Sequence, residues 1–169
     1  MNVQLKARTA FHLMLLVAVI AVTGCASTVY MESKKGLDRF HGGPQPVYVT
    51  NPELHREYDI LRASGIYQIS PKADGTRSLT LRPIRQFPRC GNPLMLTIFT
   101  LGLVPGYLPG AYAFEYDFQT DGVRELYTHH LPLYERFSAW EWLMIRSEKN
   151  TFAMALAWSI PERKPGPTE

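Results

Sequence analysis

The stretch that decides the fold is residues 111–131, AYAFEYDFQTDGVRELYTHHL. Tyr112, Phe114, Tyr116 and Phe118 alternate with Ala113, Glu115 and Asp117. Side chains two apart share one face of a strand, so this spacing gives a strand with an aromatic face and an acidic face. Asp121-Gly122 comes next, and both residue types tolerate the positive φ of a two-residue hairpin turn. Such a turn sets Thr120 against Val123, Tyr116 against Tyr127 and Phe114 against His129. A hairpin with one aromatic side needs something apolar to lie on that side.

On the amino-terminal side of this hairpin, Thr50-Asn51-Pro52-Glu53 reads as a helix start capped by Asn51, with Pro52 in the first turn. Leu54, Tyr58 and Leu61 recur at helical spacing, and Gly65 supplies the stop. Ile66–Ser70 and 78–84 are rich in strand formers, and Asp74-Gly75 between them predicts a second hairpin. On the carboxyl-terminal side, Ser138-Ala139-Trp140-Glu141 has the form of a capping box, so a second helix is expected near 139–147. From Thr151 the alternation of Phe152, Met154, Leu156, Trp158 and Ile160 with small residues predicts a strand. The fold class expected is α+β: an antiparallel sheet of about five strands with helices near 52–63 and 139–147 on one face. That domain spans 47–160, and 161–169, with three prolines and a glycine, reads as a loose tail.

Composition narrows the function classes. The chain has 169 residues, 46% hydrophobic and 20% charged, with a formal net charge of +3. No run of basic residues supplies the phosphate contacts that nucleic-acid binding needs. Two cysteines are too few for a disulfide scaffold or a Cys-rich zinc site, so a hydrophobic core must hold the fold.

The amino end carries Lys6 and Arg8, then a run from Ala10 to Val22 that is apolar but for His12, then Thr23, Gly24 and Cys25. This is the layout of a secretory signal, residues 1–24. At about 1.5 Å per residue the run covers roughly 20 Å, short of the roughly 30 Å of a bilayer core. The tetrapeptide Val22-Thr23-Gly24-Cys25 resembles the lipobox of bacterial lipoproteins. The resemblance implies a diacylglyceryl thioether on the Cys25 sulfur, cleavage between Gly24 and Cys25, and acylation of the new amino group by a chain such as palmitate. Anchoring by two or three chains is essentially permanent, whereas one chain holds reversibly. Ala26 stands where an Asp resembles an inner-membrane retention signal, which points to the outer membrane with the protein facing the periplasm. Residues 25–46, rich in Gly, Ser and Pro, read as a lipidated tether. Cys90 is then the remaining thiol in an oxidising compartment, to be buried as a small apolar residue or used in an intermolecular disulfide.

Between Arg89 and Glu115 lie 25 consecutive uncharged residues. Their centre, residues 94–104, is too short to span a bilayer, and Pro105, Gly106, Pro109 and Gly110 interrupt the segment after it. Thr100-Leu101-Gly102-Leu103-Val104-Pro105 resembles a segment of small uncharacterised envelope lipoproteins of Gram-negative bacteria, which implies an envelope-associated domain and carries no catalytic residues. Three readings stay open for 94–110: a buried strand and loop of the core, a surface for an envelope protein or for self-association, and a loop dipping into lipid beside the anchor. The candidate contact surface is Leu101, Leu103, Val104, Tyr107 and Leu108. Arg77, Arg82, Arg85 and Arg89 precede it; they either meet anionic headgroups or pair with Glu115 and Asp117.

No nucleophile elbow, phosphate-binding glycine loop, zinc-protease helix or dinucleotide fingerprint is present. His129 and His130 are adjacent in a strand, leave on opposite faces and do not suit one metal ion. His41 and Cys90 have nothing to fix a thiol-imidazole geometry. No catalytic residue, cofactor or metal is expected. The function expected is binding or scaffolding at the membrane surface, with an envelope hydrolase using Glu125 and His129, or an oligomeric membrane-perturbing component, as the alternatives.

Overall fold

A computed structural model describes residues 26–32, 39–41, 46–73, 77–87, 95–144 and 147–165. Eight strands form one sheet, β1 (Ala26–Met31), β2 (Val47–Val49), β3 (Ile69–Ser70), β4 (Arg77–Leu81), β5 (Arg85–Gln86), β6 (Gly106–Thr120), β7 (Val123–Ser138) and β8 (Glu162–Pro165). The helices are α1 (His55–Ser64), α2 (Met95–Phe99) and α3 (Glu148–Ala157), with a 3-10 turn at Glu141–Leu143. The strand order is β1-β7-β6-β4-β2-β3, with β5 also on β6 and β8 also on β7. The expected α+β class holds, but the sheet is larger than five strands and mixed, because β2 runs parallel to both β3 and β4.

That parallel strand corrects the first expected hairpin. Val47–Val49 lies between β3 and β4, so the two strands flanking Asp74-Gly75 do not pair with each other. The second hairpin forms, with β6 beside β7 in the sheet. Asp121 and Gly122 both have positive φ, 51° and 81°, and join β6 to β7.

The chain divides into two compact units. The larger takes Val29–Gly91, Pro109–Glu135 and Arg146–Glu169. Its core lies on the aromatic face of β6, where Tyr112, Phe114 and Tyr116 are buried with Tyr127, Leu131 and Leu133 of β7 and with Leu79 and Leu81 of β4. In register, Leu79 pairs with Phe118 and Leu81 with Tyr116, whereas Arg85 pairs with Ala113. One extra residue is thus used between β4 and β5. Pro83 lies there, and a residue with no N–H cannot continue the ladder.

Helix α1 buries Glu57, Ile60, Leu61 and Ser64, a stripe at helical spacing, and ends at Gly65 in the left-handed conformation. It begins three residues later than read. Asn51 is not its cap: its side chain donates to the Leu81 carbonyl at 2.8 Å and accepts from the Leu81 N–H at 2.7 Å, pairing with β4 just past the end of β2.

Two further expectations fail together. The capping box at 138–141 gives only the 3-10 turn, and the segment read as a strand from Thr151 is α3. Ala153, Ala155 and Ala157 have the highest helix propensity, and their small size lets α3 pack closely against α1. Phe152 and Leu156, four apart, are both fully buried, so the large-small alternation mimicked a strand while helical spacing decided the burial. The segment read as a tether contributes β1 at its start, and Phe40 packs edge-on against Tyr67 and His129. The expected tail contributes β8, paired to β7 from Glu125–Pro165 to Thr128–Glu162.

Candidate functional site

The smaller unit comprises Met1–Thr28, Asn92–Leu108 and Arg136–Ile145, of which 26–28, 95–108 and 136–144 are described. Its framework is α2, the 3-10 turn, the first residues of β1 and β6 and the end of β7. After α2 the chain makes a Schellman turn, with the Gly102 N–H donating to the Thr97 carbonyl at 2.7 Å and the Leu101 N–H to the Ile98 carbonyl at 3.1 Å. Leu101 takes the left-handed position of that turn at φ 51°, where glycine is usual, and Gly102 follows at φ 81°. The Ala139 N–H then donates to the Gly102 carbonyl at 2.9 Å, joining the turn to the segment of Trp140.

The surface so built is apolar. Ten of the fourteen exposed large hydrophobic residues of the described chain lie in this unit. Phe99 is 76% exposed, Leu101 69%, Leu103 61% and Ile98 60%. Of the residues singled out from sequence, Leu101, Leu103, Val104 and Tyr107 are exposed and Leu108 is half-buried. Ile98, Phe99, Trp140, Leu143 and Met144 are exposed too and were not singled out. The first two belong to the same uncharged run. The last three belong to what read as a capping box and its helix, a signal that assigns apolar residues to a core-facing side.

Among the described residues of this unit charge is nearly absent. Arg136 and Glu141 are the two ionic residues described in this unit, and they pair with each other, with the Glu141 side chain fully buried. Ser138 adds a hydrogen bond to the same carboxylate at 3.4 Å. The Thr97 hydroxyl is buried without a partner among the described residues. Cys25 and Gly24, the expected lipidation and cleavage positions, lie outside the described residues, as do Cys90 and Arg89.

The larger unit holds the candidate hydrolase pair. His129 is fully buried, its Nδ1 2.8 Å from the Ser159 hydroxyl and its Nε2 3.1 Å from the Tyr116 hydroxyl. Ser159 donates its proton to the Leu156 carbonyl, so Nδ1 carries the ring proton and Nε2 accepts from Tyr116. Tyr67 in turn lies 3.0 Å from the Tyr116 hydroxyl. Desolvation lowers the His129 pKa to about 4 and pushes the Tyr67 phenol up to about 12, with Tyr116 raised further. These groups form a closed chain of hydrogen bonds inside packed aromatic rings, with Tyr116 stacked on both Tyr127 and His129. Glu125 accepts from the Tyr127 hydroxyl at 3.1 Å. A hollow of about 380 Å³ beside Arg39, Asn150 and Trp158, and one of about 130 Å³ beside Tyr48, Arg77 and Asp121, include neither Glu125 nor His129.

On the opposite face of the hairpin, Asp117 takes a two-pronged contact from Arg82 at 3.0 Å and one from Arg124 at 3.3 Å, and Arg85 lies 3.6 Å from Glu115. Arg82 and Arg85 are therefore engaged by the acidic face of β6. Among the described residues no cluster of three or more His, Cys, Asp or Glu could hold a metal ion, and no helix is long and apolar enough to cross a membrane. Compared with known proteins, the chain matches no family model, no curated protein and no solved structure.

Proposed function

We propose that the protein is a lipid-anchored envelope accessory, acylated at Cys25, held at the periplasmic face of the outer membrane and engaged there in binding or scaffolding rather than catalysis. The observation that carries this reading is the concentration of exposed apolar side chains in the unit that contains Ala26–Thr28, the residues directly after the lipobox cysteine. A large exposed apolar surface marks contact with a partner or a membrane. The aromatic hairpin supplies the stable body, and Leu101, Leu103, Val104 and Tyr107 supply the contact. Burial of His129 inside ring contacts favours this over the hydrolase reading, which needs an imidazole that a substrate can reach.

Intact-mass spectrometry of the protein extracted from its native envelope tests the proposal. The expected species begins at Cys25, carries a diacylglyceryl group and an amide-linked acyl chain, and cosediments with outer membrane. A species beginning at Met1, or one trimmed without added glyceride, overturns it.

A further inference from the structure

We infer that the surface bearing Leu101 and Leu103 is seated in the acyl-chain boundary of the bilayer itself, so that the protein is held by its covalent lipid and by this loop together. The inference rests on the anchored reading above and names what the contact surface touches. Three observations select lipid over protein.

The first is position in the chain. β1 begins at Ala26, one residue after Cys25, and Ala26–Thr28 belong to the same unit as Leu101 and Leu103. With at most about 3.5 Å of chain per residue, acyl chains on Cys25 leave no long tether before this unit. The second is the backbone. The N–H groups of Leu101, Gly102, Leu103 and Val104 donate to Ile98, Thr97 and Thr100 carbonyls and to the Thr100 hydroxyl at 3.1 Å, and Pro105 has no N–H. Five consecutive residues therefore offer no free backbone donor. Water does not require that saturation, whereas hydrocarbon does. The third is composition. Residues 95–108 carry no charge, and the unit's described ion pair neutralises itself. A protein partner's interface carries roughly one hydrogen bond per 100–200 Å² and a polar rim, for which this surface offers few groups. Tyr107 and Trp140, 52% and 51% exposed, are the amphipathic aromatic types that settle at headgroup level.

The left-handed conformation of Leu101 adds to this. A leucine at φ 51° is strained, and a side chain 69% exposed recovers little of that cost by packing within the protein. Insertion of the side chain into lipid supplies the missing contact.

The test uses the full lipidated chain with Cys90→Ser, reconstituted in phosphatidylethanolamine–phosphatidylglycerol vesicles containing nitroxide-labelled acyl chains. An NBD fluorophore is placed at Leu103→Cys, at Met144→Cys, or, as the control, at Val123→Cys in the hairpin turn of the larger unit. Quenching at 103 and 144 is expected to exceed that at 123 by about twofold or more. Equal weak quenching at all three positions overturns the inference, as does photo-crosslinking from position 103 to an envelope protein or to a second copy. The two labels sit on separate segments of the unit, so local disturbance at one leaves the other to decide. The mass of the same sample reports Cys25 acylation independently, which separates failure of this inference from failure of the anchored reading.

Discussion

Two regions of this chain are equally rich in apolar residues and have opposite fates. Along Tyr112–Phe118 the large side chains are buried or half-buried, while Ile98–Val104 leaves most of its large side chains in the open. Hydrophobic content does not distinguish them. Periodicity does: the hairpin concentrates its aromatics on one face, opposite carboxylates that are paired with arginine, whereas the second region has too short a helix and too tight a turn to present a single face. A residue is buried when its element can direct it to a partner surface, and otherwise its apolar character is available for contact outside the fold.

Removing one large ring from each region puts this contrast at greatest risk. Phe114→Ala is expected to cost about 3–5 kcal/mol, because its ring is fully buried, while Phe99→Ala, 76% exposed, should change stability by less than about 0.5 kcal/mol. Urea unfolding followed by circular dichroism reads both. Comparable losses would mean that the Phe99 ring is covered within the protein after all.

A smaller effect comes from the polar chain inside the aromatic core. His129 is held neutral by burial, with its pKa lowered to about 4 from the ordinary 6.5. Between those values the unfolded chain binds the extra proton and the folded one does not. Stability is therefore full above pH 6.5, falls as pH drops, and has lost on the order of 3 kcal/mol by pH 4. A His129→Gln variant should be less stable at pH 7 and should lose much of the slope between pH 6.5 and 4. An unchanged slope would assign the acid sensitivity to the carboxylates instead.

The hairpin was legible in the sequence because two independent signals agree there, strict alternation and an Asp-Gly turn. α1 was legible from its apolar spacing and Gly65, although Asn51 misled, since one side chain can cap a helix or imitate a strand partner and only tertiary context chooses. The mixed sheet was not legible. Val47–Val49 is three residues long, too short to show a period, and its parallel pairing with β3 and β4 is a long-range event. The α3 segment supports two readings, because alternation between alanine and larger residues satisfies both periods over ten residues, and helix propensity decides between them. For the contact surface, Leu101 to Tyr107 stood out as uncharged, but exposure could not be deduced from that. The contribution of Trp140, Leu143 and Met144 was hidden behind a capping box whose serine bonds to its glutamate, which also pairs with Arg136, instead of starting an α-helix.

The smallest expected effect is the most discriminating between the two regions, because each contains one non-glycine residue at φ 51°. Asp121, in the hairpin turn, is of a type that tolerates the left-handed region, and glycine there should change stability little. Leu101 is not of that type. Leu101→Gly removes the steric cost at that position but adds freedom to the unfolded chain, so the net gain in stability is expected to be about 0.5–1 kcal/mol. The same substitution removes a large exposed apolar side chain, so vesicle quenching at a Met144→Cys label should weaken while the fold becomes firmer. A gain in stability with no change at the membrane would make the strain at Leu101 incidental. A loss of both would mean that the leucine packs within the protein, contrary to its exposure. Only a fold that accepts a strained residue in order to present it to lipid produces the opposed pair, firmer in water and weaker at the vesicle.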